Sequence, residues 1–231
     1  MDEERLRQNL EAVHHRIAAA TRRAGRRPED VTLVAVTKRV DPETTRRLIA
    51  LGVRDLGENY PQELWRKSAA LAGFPVRWHL IGHLQTNKAK KTLPLVRMIH
   101  GVDSLRLLRL LDELAAGIAE PPAVCLQVNA SGETSKHGWS PEGLLAEAGA
   151  IAACRSIPIV GLMTMAALET PAEAARPTFA TLRRLRDELR SRLDRPLPEL
   201  SMGMSNDFEV AIEEGATLVR IGSALFEGVT R

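Results

Sequence analysis

Eight runs of β-forming residues, most of them separated by a stretch of helical periodicity, constrain this chain more than any other feature. The first run, Val31 to Lys38, reads Val-Thr-Leu-Val-Ala-Val-Thr-Lys. The others are Val53–Leu56, Arg77–Ile81, Met98–Val102, Ala123–Val128, Ile157–Leu162, Glu199–Met202 and Thr217–Ile221. Strands that alternate with helices form parallel sheets, and eight of them over 231 residues predict a closed (β/α)8 (TIM) barrel. An open doubly wound sheet is the competing fold, but no run leads into a G-x-G-x-x-G turn. No linker-like segment or internal repeat divides residues 1–231, so one domain is expected.

The intervening stretches carry helix signals. Leu6, Leu10, Val13 and Ile17 share one face of an additional N-terminal helix that Gly25 ends. Asp41-Pro42-Glu43 and Ser140-Pro141-Glu142 read as N-caps followed by proline, Asp103-Ser104 caps another helix, and Asn206 with Glu209 fits a capping box. After Pro171, Phe179, Leu182, Leu185, Leu189 and Leu193 form an apolar stripe backed mostly by arginines 183, 184, 186, 190 and 192. Such an arginine face is a solvated helix surface before it is a nucleic-acid surface.

Composition narrows the function classes. A net charge of +3 and 3% aromatic residues give little basis for binding nucleic acid, and no apolar run is long enough to span a membrane. The N-terminus is charged from Asp2 onward, unlike a signal peptide, and Cys125 and Cys154 lack metal-ligand spacing. A reduced cytoplasmic setting and no metal are expected.

A barrel presents its site at the C-terminal ends of its strands. Those ends hold Lys38, Asn59, His79 with His83, Asp103, Asn129, Met163, Ser201–Ser205 and Arg220–Ser223. Lys38 shares a strand face with Val34 and Val36. It either lies buried, where a lysine is costly as an ammonium and becomes a nucleophile able to form a Schiff base, or reaches into solvent. Ser201-Met202-Gly203-Met204-Ser205 and Gly222-Ser223 are small-residue turns, each placed before a helix, after the two strands where barrels commonly bind phosphate. Arg220 shares a face with Leu218 and Gly222 and needs a partner, either a carboxylate such as Glu58 or Asp103 or a ligand heteroatom such as a pyridine nitrogen. An amine, an anion clamp and an arginine between them outline pyridoxal 5'-phosphate (PLP).

The segments Val34-Ala35-Val36-Thr37-Lys38, Gly57-Glu58-Asn59, His79 to Lys88, Gly161 to Met165, Ser201 to Ser205 and Val219 to Ser223 together resemble the PLP homeostasis protein family, of the YggS/PROSC type. The resemblance runs from the first strand to the last. It implies a barrel similar to the N-terminal domain of alanine racemase, with PLP as a Schiff base on Lys38. Ser205, Gly222 and Ser223 would hold the phosphate, Arg220 would face the pyridine nitrogen, and Asn59 would line the pocket, with His79 and Met163 as further neighbours. It also implies a carrier or regulator of intracellular vitamin B6 without an established reaction, with apo PLP-dependent enzymes as possible recipients. Gly82-His83-Leu84 departs from the family pattern, in which proline or another residue is more usual before the leucine.

A PLP-dependent amino-acid racemase or lyase is the alternative reading. A racemase needs a second acid or base opposite the lysine. In the racemases that group is a tyrosine from a C-terminal β-domain, which a chain ending ten residues after the eighth run is expected to lack. Tyr60 is the only tyrosine, and an arginine at the pyridine nitrogen weakens the ring as an electron sink. Lys136 and His137 fall in a polar loop, where Lys136 is either an ordinary surface residue or a second amine for the aldehyde. The charged face of the N-terminal helix favours a monomer.

Overall fold

The computed structural model describes residues 2–133, 137–167 and 171–230. Its strands are β1 (Thr32–Val36), β2 (Asp55–Glu58), β3 (Arg77–Leu80), β4 (Met98–Val102), β5 (Ala123–Gln127), β6 (Ile159–Met163), β7 (Glu199–Ser201) and β8 (Leu218–Ile221). They pair in sequence order, all parallel, and β8 closes on β1 with Val34 opposite Arg220. The expected barrel is therefore the fold.

Strand alternation divides the core in two. Val34, Met98, Ala123, Cys125, Met163 and Leu218 form one cluster although they come from five different strands, which only the barrel interior permits. The larger cluster fills the space between the barrel and the helices. Both cysteines are unpaired and buried. No helix among the described residues is long and apolar enough to cross a membrane.

Helix α1 (Asp2–Arg23) buries Leu6, Leu10, Val13 and Ile17 as its periodicity predicts. Asp41 accepts from the Thr44 amide at 2.9 Å and caps α2 (Pro42–Ala50). Next come α3 (Pro61–Ala70) and α4 (Thr86–Thr92). The second of these was not expected, because Thr-Asn-Lys-Ala-Lys-Lys-Thr has no apolar stripe to reveal it. Ser104 caps α5 (Leu105–Ala115), and the helix expected from Ser140 is broken into α6 (Pro141–Ala146) and α7 (Ala148–Ala152).

Helix α8 (Arg176–Leu193) buries its predicted leucines and Phe179, but its basic face is not simply solvated. Arg183 pairs with Glu214, Arg186 with Asp187 and Arg192 with Glu188. The last helix, α9 (Phe208–Glu213), is preceded by Asp207, whose carboxylate accepts from the Met204 amide. The proposed capping box of Asn206 and Glu209 does not form, because Glu209 turns to Arg16 of α1, 2.8 Å away. Helix α1 makes a second contact near the C-terminus. Asn9 donates to the carbonyls of Leu225 and Glu227 at 3.0 and 2.9 Å, fixing the segment that follows β8.

Candidate functional site at the barrel mouth

Lys38, Asn59, Ser205, Arg220, Gly222 and Ser223 line one cavity of about 340 Å3 at the C-terminal ends of the strands. Residues separated by up to 185 positions meet there because β8 closes on β1. Arg39 and Met165 line the same cavity and were not singled out from sequence.

Lys38 is exposed and lines the cavity, so its amine reaches toward solvent from within the site and is not buried as one of the sequence readings expected. The strand face does run through Val34 and Val36, but the ladder stops at Val36 and Lys38 stands beyond it. The residue before it is held firmly. The Thr37 amide donates to Gly57 O at 3.0 Å, its hydroxyl donates to Glu58 Oε1 at 2.7 Å, and Lys67 Nζ donates to Thr37 O at 2.6 Å. Arg39, directly after Lys38, has φ +63°, a left-handed conformation that costs a non-glycine residue on the order of 1 kcal/mol. A fixed strand end and a sharp turn thus bracket a free amine.

Asn59 follows β2, and its position depends on Gly82. A Cβ at Gly82 would lie 2.1 Å from Asn59 O and 2.6 Å from Asn59 Oδ1. Gly82→Ala is therefore expected to displace Asn59 and to weaken binding in the cavity by about tenfold, measurable by titration with PLP.

The segments expected to clamp an anion are turns. The amides of Gly222 and Ala224 both point at Ser205 Oγ, each at 3.3 Å. A Cβ on Gly222 would meet Val36 O and Val36 Cβ at 3.3 Å, so glycine keeps this approach open. Among the described residues no helix follows Gly222-Ser223, and α9 starts only at Phe208. The expected helix N-termini are thus replaced by backbone N–H groups of a turn and a serine hydroxyl. Neutral donors of this kind suit a phosphate.

Arg220 is buried, and neither suggested carboxylate is its partner. Its Nη1 donates to Ser201 Oγ at 2.6 Å and its Nη2 to Thr164 O at 2.9 Å. Burial pushes its pKa down to about 10, against the pull of Asp207, so it stays cationic at neutral pH. Glu58 instead pairs with Lys67, and Asp103 with His83 at 2.8 Å.

His79 and Met163 are buried in the barrel and do not line the cavity, contrary to their expected place beside it. Both belong to strands, below the residues that open onto the mouth. His79 Nε2 lies 3.0 Å from Asp55 Oδ1 and its Nδ1 lies 2.9 Å from His100 Nε2. His100 Nδ1 is 2.6 Å from Ser201 Oγ. Sequence reasoning missed His100 and the link through Ser201, although a histidine alternating with Met98 in an apolar strand was a usable signal. His83 stacks on His137, ring centroids 5.5 Å apart, outside the cavity lining, and Lys136 lies outside the described residues.

Burial holds His100 well below the ordinary histidine value of 6.5, with His79 and Arg220 adding to the shift. For Asp55, burial raises the pKa, but the hydrogen bonds from His79 and Arg77 outweigh it and the net shift is downward. Both shifts leave more protons on the unfolded chain, so stability rises with pH; the His100 share is lost as pH falls below about 6.5 and the Asp55 share only below about 3.8. The melting temperature is expected to drop by roughly 3 °C or more between about pH 7.5 and pH 5.

An eight-stranded barrel with a lysine after its first strand and serine- and glycine-bearing turns after its last two defines a class, and the model of the alanine racemase N-terminal domain matches residues 8–229. The chain belongs to that family. Within it, the chain is 43% identical over 221 residues to a pyridoxal phosphate homeostasis protein of Pseudomonas aeruginosa, covering 96% of this chain and 94% of the relative. PipY of Synechococcus elongatus, solved with PLP bound, superposes with a TM-score of 0.84 at 35% identity, covering 96% of this chain and 99% of PipY. The alanine racemase of Corynebacterium glutamicum shares the fold, with a TM-score of 0.70 at 18% identity over 96% of this chain and 63% of the racemase.

Proposed function

We propose that this chain binds PLP as a Schiff base on Lys38 and serves intracellular PLP homeostasis as a carrier or regulator. The observation that carries this reading is the meeting of an exposed amine, a neutral anion clamp and a buried guanidinium around one cavity. PLP supplies an aldehyde that condenses with a primary amine and a ring that withdraws electrons. The chain supplies the rest. Lys38 provides the amine, Ser205, Ser223 and the Gly222 amide hold the phosphate, Arg220 faces the ring nitrogen, and Asn59 closes one side. The homeostasis relatives and PLP-bound PipY support this assignment.

The open position of Lys38 favours a carrier, since the bound group stays within reach of a recipient such as an apo-enzyme. Tyr60, the tyrosine a racemase reading would enlist, is 63% exposed and does not line the cavity. Helix α1 buries its apolar stripe within its own chain, which supports a monomer. An absorbance spectrum before and after borohydride tests the cofactor assignment, with a visible band that reduction bleaches as the expected result. Incubating the loaded protein with L- and D-amino acids in deuterium oxide tests the racemase or lyase reading, and α-proton exchange above the rate of free PLP would overturn the carrier.

A further inference from the structure

Four side chains inside the barrel form an unbroken polar line that ends on Arg220. It starts at Asp55, near the N-terminal floor, and passes through His79, His100 and Ser201, with successive spacings of 3.0, 2.9, 2.6 and 2.6 Å. His79, His100 and Ser201 are each at most 2% exposed, so water does not substitute for these bonds. At the floor, Asp55 also pairs with Arg77.

Donor rules fix the direction of the line. Arginine only donates, so Ser201 Oγ accepts from Arg220 and is left with its own proton to give. That proton goes to His100 Nδ1, which therefore has none of its own. His100 must then carry its proton on Nε2 and donate to His79 Nδ1. His79 in turn carries its proton on Nε2 and donates to the Asp55 carboxylate. With both rings neutral, this polarity satisfies every ring nitrogen and the serine hydroxyl. The reverse polarity sets His79 Nε2 lone pair against carboxylate unless His79 takes up a second proton, and it leaves the serine proton without its acceptor.

We infer that Asp55, His79, His100 and Ser201 form a directed hydrogen-bond relay that fixes the Arg220 guanidinium against the ring nitrogen of the bound cofactor, with Ser201 and His100 as positioning residues. The inference rests on the placement of PLP proposed above and extends it to residues that never touch the cofactor. Ser201 orients Nη1 while Thr164 O orients Nη2, so the guanidinium plane is held at two points.

The test uses the PLP-loaded full chain. Ser201→Ala should raise the PLP dissociation rate about tenfold, as expected for loss of one buried charge-assisted bond, and should shift the visible maximum. Ser201→Thr, which keeps the hydroxyl, should restore both. His100→Asn keeps an acceptor for Ser201 but severs the link to His79, so it should raise the dissociation rate less than Ser201→Ala does. Nitrogen-15 spectra of the wild-type imidazoles should find both rings protonated on Nε2 at neutral pH. A wild-type dissociation rate and visible maximum in Ser201→Ala, or His100 protonated on Nδ1, would overturn the relay. The nitrogen spectra decide the matter even if a variant fails to fold. Absence of a borohydride-sensitive band in the wild type would instead refute the cofactor assignment, a result distinct from an intact band that ignores the relay variants.

Discussion

Lys38→Ala is expected to abolish the borohydride-fixable PLP adduct completely while leaving the fold intact. The side chain is exposed and the backbone of the neighbouring turn is untouched by the change, so stability should shift by about 0.5 kcal/mol or less. What is lost is the covalent link. The clamp at Ser205 and Gly222 and the guanidinium of Arg220 remain, so PLP should still bind, with dissociation faster on the order of a hundredfold, about 2.7 kcal/mol. Stopped-flow transfer of PLP to an apo-enzyme trap measures that rate, and mass spectrometry after reduction counts the adduct. An adduct of undiminished yield in Lys38→Ala would move the amine to another residue. A melting temperature depressed by more than a few degrees would mean instead that Lys38 supports the β1 end, against its exposed position.

The barrel was legible because it follows from chain order, and the six cavity residues lay within the longer strand-end set that the family resemblance then narrowed. Strand runs appear as local patterns, and a parallel barrel sends every strand end to one rim without further information. Side-chain partners do not follow in that way. Ser201 of β7 and His100 of β4 are 101 positions apart, and their contact depends on how closure staggers the strands across the interior. From sequence, Arg220 could only be said to need a partner. The carboxylates weighed as one alternative are paired elsewhere, and the acceptors within the chain are a hydroxyl and a backbone carbonyl. Lys67 was equally hidden, since it follows Arg66 in a helix with a charged face and reads as a surface residue. The Asn206 and Glu209 pattern satisfied a local rule but lost to Arg16, a partner from the far end of the chain. Lys38 shows the same limit in reverse. Its strand face was right, but the point at which the ladder stops is set by the neighbouring strand, where Val36 is the last residue paired with β2.

The buried Lys67–Glu58 pair gives the second large effect, on stability as well as on the site. Each side chain is 1% exposed and the charged atoms are 2.6 Å apart. Lys67 Nζ also donates to Thr37 O at 2.6 Å, and Thr37 Oγ1 donates to the same Glu58 oxygen at 2.7 Å. The other carboxylate oxygen, Oε2, is buried without a partner in the structure, so Glu58 is already under-satisfied. Lys67→Met keeps most of the volume but leaves that carboxylate uncompensated and the Thr37 carbonyl without its donor. Breaking one side of a buried pair typically costs about 3–5 kcal/mol, and urea unfolding should show a loss in that range. Adding Glu58→Gln should recover most of it, because removing both charges relieves the desolvation that the lone carboxylate suffers. The recovery should be incomplete, since the amide can still accept from Thr37 but cannot reproduce the ammonium's bond to Thr37 O. Because Thr37 directly precedes Lys38, the single variant should also release PLP faster, and the double variant should only partly correct this. A loss below about 1 kcal/mol in Lys67→Met would show that the pair contributes little, as exposed ion pairs do, and that the β1 end is held by its ladder alone.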